Sequence, residues 1–289
     1  MSSPLSASWD PHQYLRHGGH RTRPFADLLA RIPAEKPRRV VDLGCGPGNS
    51  TQLVRARWPE ARVLGLDNSP EMLRKARQTA GAGLEFDYAD AAEYVPEAGE
   101  VDVLVSNALL QWVPGHADLL PGWVAALPPG GVLAFQVPGN FGAPSHAILR
   151  ELRTSPRWAD RLAEGADRVS AVLEPADYLE RLLDLGCEAD VWETTYLHLL
   201  QGEDPVLDWV KGTALRPVLT ALADDPAATR EFLDEYAARL AEAYPAGPHG
   251  TVLPFRRIFA VAVKAGPTAS GPTDSGPTVS DSTDGETRA

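Results

Sequence analysis

The stretch Arg39-Val40-Val41-Asp42-Leu43-Gly44-Cys45-Gly46-Pro47-Gly48-Asn49-Ser50-Thr51 constrains this chain more than any other. Val40, Val41 and Leu43 form the apolar, partly β-branched run that a buried parallel strand needs. Gly44, Gly46 and Gly48 lack Cβ atoms, so the chain can turn sharply and a ligand can approach the backbone. Asn49, Ser50 or Thr51 then offers a cap for a helix whose first N–H groups face outward. Position 49 is Asn, so the dinucleotide fingerprint G-x-G-x-x-G is not met; the spacing is G-x-G-x-G behind an acid, Asp42.

Strand and helix periods alternate onward from this loop. A helix over residues 52–58 is followed by a strand over 61–66 that ends at Asp67, and Pro70 opens the next helix, capped by Asn68 or Ser69. Further strands are predicted over 84–91, 101–107 and 131–137, with a helix over 117–127 between the last two. Five such alternations imply right-handed β-α-β units and a doubly wound, mostly parallel sheet. The pattern then loosens. Helices are expected over 144–153 and 177–185, a sixth strand over 189–198, helical pieces over 205–211 and 227–244, and a seventh strand over 257–263. The resulting division is a leader (1–8), an α/β domain (9–264) with an N-terminal lid helix and cap insertions near 144–185 and 199–256, and a tail (265–289). Gly-Pro-Thr recurs three times in that tail, which has no apolar face and reads as disordered.

Composition narrows the function classes. The net charge of −12 argues against a nucleic-acid surface. No stretch approaches the ~20 apolar residues of a membrane span, and no secretory start is evident. Two cysteines, Cys45 and Cys187, make no disulfide framework and suit a reducing cytoplasm. The histidines lack metal-ligand spacing, so no metal is expected. No signal sets an oligomeric state. In this acidic chain, Arg16, His17, His20, Arg21 and Arg23 cluster near the N-terminus, as a salt-bridged amphipathic helix or as a basic lid over a ligand.

The glycine loop, with Asp67 and Asp90 at the ends of the next two strands, resembles that of class I S-adenosylmethionine-dependent methyltransferases. Longer motifs narrow the likeness: Trp9-Asp10-Pro11 with Tyr14-Leu15, Ser106-Asn107-Ala108-Leu109-Leu110-Gln111-Trp112, Gln136-Val137-Pro138-Gly139-Asn140, Pro144-Ser145-His146, Trp192 with Thr195-Tyr196, Asp208-Trp209, and Phe255-Arg256-Arg257. Over residues 9–263 the chain resembles the trans-aconitate 2-methyltransferase family. That resemblance implies a Rossmann-like seven-stranded methyltransferase sheet with helical insertions forming a substrate cap. S-adenosyl-L-methionine is the implied cofactor and a small anionic tricarboxylate the implied substrate.

For the cofactor, the candidates are Asp42, Gly44, Cys45, Gly46, Gly48, Asn49, Asp67, Asn68, Met72, Asp90, Ala91, Asn107 and Trp112. An acid ending the second strand can accept both hydroxyls of a ribose. Asp90 and the Ala91 N–H suit an adenine edge, although Asp90 also reads as a helix cap and Met72 as core packing. A carboxylate acceptor is already ionised at neutral pH, so alignment suffices and no general base is expected. Its charge requires cations. The candidates are Arg21, Arg23, Arg216, Arg256 and Arg257, with Tyr14, Gln136, Asn140, His146, Tyr196 and Trp209 as walls or hydrogen-bond partners. The residues also leave room for methylation of another small acid or natural product, or for a non-catalytic cofactor-binding protein.

Overall fold

The computed structural model describes residues 18–163 and 172–266. The expected leader, Tyr14, the Arg21 side chain and the tail beyond Gly266 lie outside the described residues and side chains.

Alternation within single strands builds the core. Strand β1 (Arg39–Leu43) pairs in parallel with β2 (Arg62–Asp67) on one side and β4 (Val103–Asn107) on the other. Strand β3 (Leu84–Tyr88) extends the first side and β5 (Val132–Pro138) the second, both parallel. Successive side chains point to opposite faces of a strand. Val40 therefore packs with Phe25 and Leu28 of helix α1 (Gly18–Arg31) and Val54 of α2 (Asn49–Arg57). Val41 packs on the opposite face with Trp123 of α4 (Leu120–Ala126). Helix α3 (Pro70–Ala76) covers the β2–β3 flank on the α1 side through Leu73 and Ala76. Strand order reverses between β1 and β4, the crevice where open α/β sheets take ligands.

The far edge differs from the reading of the sequence. With β6 (Cys187–Leu200) and β8 (Gly250–Lys264) at this edge, seven strands lie in the order β3-β2-β1-β4-β5-β8-β6, and a two-residue β7 (Ala246–Gly247) adds an eighth beside β8. Strand β6 and the antiparallel β8 are both longer than expected. Strand β5 pairs with β8 only from Arg257 to Val263, whereas β6 follows β8 from Lys264 back to Thr251. The early half of β8 thus stands with the end of β6 as a two-stranded arm beyond β5. Pro254, Arg256 and Arg257 break its apolar pattern, which is why 250–256 read as part of the helical insertion.

The insertions also sort differently. Helices α5 (Pro144–Thr154), α6 (Ala159–Leu162), α8 (Pro205–Lys211), α9 (Arg216–Ala221) and α10 (Pro226–Ala243) build a separate cap. Its core includes Trp158, Trp209, Phe232 and Tyr236. Helix α7 (Pro175–Asp184), expected in the cap, belongs to the sheet: Tyr178 and Leu182 are fully buried with Val41 and Phe135.

Candidate active site

At the carboxyl ends of β1–β3 the chain builds a loop braced from below. Gly44, Gly46 and Gly48 all have positive φ. A Cβ at Gly44 would meet the Leu109 side chain at 2.8 Å, while one at Gly46 would meet nothing within 4 Å. The loop is therefore packed on one side and open at its middle, a cradle only glycine leaves free. Asp42, expected as a ligand, is fully buried and instead holds the loop to α2. Its Oδ2 accepts from Ser50 Oγ at 3.0 Å and Thr51 Oγ1 at 2.8 Å. Burial pushes its pKa up to about 6, against those two hydrogen bonds. Ser50 and Thr51 are thereby spent, and Gly48, not a side chain, occupies the N-cap of α2. Cys45 is buried, with its thiol pKa raised by desolvation, and contributes backbone to the loop.

Asp67 ends β2 facing this loop. Its Oδ2 accepts from Gly46 N–H at 2.9 Å and its Oδ1 from Ser69 N–H at 2.8 Å. A carboxylate has about four lone-pair positions, so two remain for a ribose diol beside the open Gly46. Burial raises its pKa. Ser69, rather than Asn68, caps α3; Asn68 is exposed and Met72 is buried. Asp90 Oδ1 accepts from Ala92 N–H at 3.0 Å, the turn-forming alternative for that residue, and Ala91 is buried. These donors, acceptors and the open cradle fit an adenosyl cofactor.

Across the strand-order reversal lies a cavity between the sheet and the cap. Asn107, Ala108, Gln111 and Trp112 line it from the end of β4 and the turn after it, and Gln136, Pro138, Asn140 and Phe141 from the end of β5 and the loop beyond. Ser145 and His146 of α5, Trp209 and Thr213 of the cap, and Leu253, Phe255 and Arg257 of the arm complete it. Its buried cation is Arg257, 6% exposed, with its guanidinium 4.5 Å from the Phe255 ring centre. Burial and the neighbouring Arg150 charge lower the His146 pKa to about 4, so His146 is neutral at pH 7. Ser145 is fixed between two phenols: its N–H donates to Tyr244 and its carbonyl accepts from Tyr236.

Several expected acceptor ligands stand elsewhere. Adjacent residues of a strand face opposite sides, so Arg256 and Arg257 cannot both enter the cavity. Arg256 bonds instead to Glu174 and Glu193, which raise its pKa further. Asn140 reaches the wall with its amide already engaged, exchanging two hydrogen bonds with the Arg256 backbone at 2.9 and 2.7 Å. Tyr196 is a core residue whose hydroxyl donates to Asp27 at 2.6 Å, joining β6 to α1. Arg23 lies exposed above that ring, and Arg216 opens α9; neither lines the cavity.

Gln111, Phe141, Ser145, Thr213 and Phe255 line the cavity without having been singled out as ligands. Strand alternation with Arg257 marks Phe255 and Leu253. Nothing local marks Phe141 or Thr213, which reach the cavity through the packing of the cap. Gln111 donates to the Ala108 carbonyl at 2.6 Å, and its buried Oε1 has no hydrogen-bond partner.

The doubly wound sheet, the glycine cradle and the acid ending β2 define a class I methyltransferase, and a methyltransferase-domain family matches residues 40–131. The fold is similar to that of phosphoethanolamine N-methyltransferase 2 from Haemonchus contortus, solved with S-adenosyl-L-methionine. That likeness has TM-score 0.53 at 18% identity and covers 88% of this chain and 56% of the other. The chain is 63% identical over 264 residues to the trans-aconitate 2-methyltransferase of Streptomyces avermitilis, covering 89% of this chain and 97% of the relative. It is 51% identical to that of Rhodococcus jostii, covering 88% and 98%. The chain belongs to the trans-aconitate 2-methyltransferase family.

Proposed function

We propose that this chain transfers the methyl group of S-adenosyl-L-methionine to one carboxylate of trans-aconitate, giving a monomethyl ester and S-adenosylhomocysteine. The observation that carries the acceptor assignment is Arg257, a buried guanidinium in a cavity beside the glycine cradle. A guanidinium in the wall of a cavity presents a planar fork of donors, and a carboxylate matches that fork. The cofactor supplies an electrophilic methyl on a sulfonium. Gly46 with its neighbours holds the cofactor, and Asp67 holds its ribose.

The work left to the protein is alignment. A carboxylate with a pKa near 4 is ionised at pH 7 and needs no base. His146, neutral there, serves as a hydrogen-bonding wall. Phe141, Trp209 and Phe255 keep water from the reacting oxygen, and Arg257 fixes a carboxylate that does not react. Clamping the reacting one would drain its nucleophilicity. No helix among the described residues is long and apolar enough to cross a membrane, and the two buried free thiols suit a reducing cytoplasm.

The test is incubation with methyl-labelled S-adenosylmethionine and a panel of di- and tricarboxylic acids, read by mass spectrometry. A trans-aconitate monomethyl ester as the main product is expected. A different preferred acid would reassign the substrate, and cofactor binding with no ester from any acid would remove the enzymatic reading.

A further inference from the structure

Gln136 is 1% exposed and sits between the two halves of the site. Arg257 Nη1 donates to its Oε1 at 3.4 Å, and its Nε2 donates to Asn107 Oδ1 at 2.7 Å. Its backbone carbonyl accepts from Ala108 N–H at 2.9 Å. Ala108 has φ 53°, the one non-glycine with positive φ among the described residues, so the turn after β4 is held in a conformation that alanine rarely adopts.

These contacts have a forced direction. A guanidinium has donors only, so an amide that hydrogen-bonds to Arg257 must present its oxygen. Gln136 must therefore turn Oε1 to Arg257 and Nε2 to Asn107. Asn107 must then turn Oδ1 to Gln136, which directs its Nδ2 donor the other way. Both Arg257 and Asn107 line the cavity.

We infer that Gln136 is a positioning residue that relays the donor-only character of Arg257 to Asn107, so that the Asn107 Nδ2 is presented to a ligand carboxylate. This reassigns Gln136 from ligand to bridge, and it rests on the proposed reaction. Two sources carry that chemistry: a carboxylate of the acid acceptor and the carboxylate at the methionyl end of the cofactor.

The test replaces the bridge with a group that inverts the relay. In Gln136→Glu both side-chain oxygens accept, so Asn107 turns its amide to donate to the introduced carboxylate and shows Oδ1 to the ligand. Losing a charge-assisted hydrogen bond and gaining a repulsive lone pair raises the relevant constant about tenfold or more. KM for trans-aconitate and the calorimetric Kd for S-adenosylmethionine are measured in parallel. Because the introduced carboxylate also pairs with Arg257, a rise in KM assigns the donor to the acceptor acid only when Asn107→Asp, which leaves Gln136 and Arg257 in place, raises it as well. A KM rise confined to Gln136→Glu overturns the inference, and a rise in Kd alone assigns the donor to the methionyl carboxylate. A merely structural role would lower the melting temperature and kcat and leave both constants in place, which overturns the inference. If Gln136→Glu does not fold, Asn107→Asp makes the same test, because one oxygen accepts from Gln136 and the other meets the ligand carboxylate. Wild-type protein that forms no ester with any acid defeats the proposed reaction instead, whatever the variants do.

Discussion

The two sides of the crevice are built in different ways. On the side of the glycine loop, the cradle, its Asp42 brace and the Asp67 carboxylate come from residues 42–67, and neighbours in sequence are neighbours in space. Backbone geometry does most of the work there, with one buried carboxylate, Asp42, tying the loop to α2. On the acceptor side, Asn107, Gln136, His146, Trp209 and Arg257 arrive from five separate elements, and side chains do the work. A short motif can encode the first. The second exists only once the arm of β6 and β8 and the cap have folded against the sheet.

Breaking the glycine-loop side at its backbone should have the largest effect. Gly44→Ala places a methyl group 2.8 Å from Leu109 at φ +79°. Left-handed strain and overpacking together cost about 3 kcal/mol or more. Loss of S-adenosylmethionine affinity by about 100-fold is expected in calorimetry, and an unchanged Kd would show that the loop is not the cradle.

Asp42 sharpens the contrast next, because its effect is electrostatic. Its pKa is raised from 3.8 to about 6 in the folded chain. The unfolded state therefore loses its proton first, and the stabilisation from the protonated form is complete below pH 3.8 and lost as pH rises through about 6. The difference corresponds to about 3 kcal/mol for this fully buried group. Asp42→Asn should flatten the urea-unfolding stability profile between about pH 4 and pH 6.5. A profile that keeps its slope would place the titration elsewhere.

Arg257 and Arg256 test the acceptor side as a pair. Arg257→Ala should raise KM for trans-aconitate by roughly 10- to 100-fold, from a lost charge-assisted contact of about 1.5–3 kcal/mol, with little change in cofactor Kd. Equal losses in both would merge the two sides into one. Arg256→Ala should leave that KM within about twofold and cost about 1 kcal/mol of stability in chemical unfolding, as expected of a partly exposed ion-pair network.

The same division explains what could be read from the chain beforehand. The parallel sheet, the cradle, Asp67 and the Ser69 turn follow from local pattern. The arm did not, because Pro254 and two arginines interrupt the apolar run by which a strand is recognised. Asp42 reads as a ligand in the sequence because an acid before a glycine loop says nothing about which way its carboxylate turns. Tyr196 and Arg256 sit in motifs of the right family but are spent on Asp27 and on Glu174 with Glu193. The face a residue takes in a strand separates Arg257 from Arg256, and that face is set by register with β5 and β6.

That register makes the arm unusually sensitive to length. Deleting one residue between Gly250 and Phe255 would not merely shorten a loop. If β8 shifted to keep the arm's pairing, its inward and outward faces would exchange. Arg256 would be driven toward the cavity that Arg257 lines and leave Glu174 and Glu193 without their cation. Substitutions in this arm are local events, whereas insertions and deletions rewrite the pocket, so evolution and engineering alike can vary its side chains far more freely than its count.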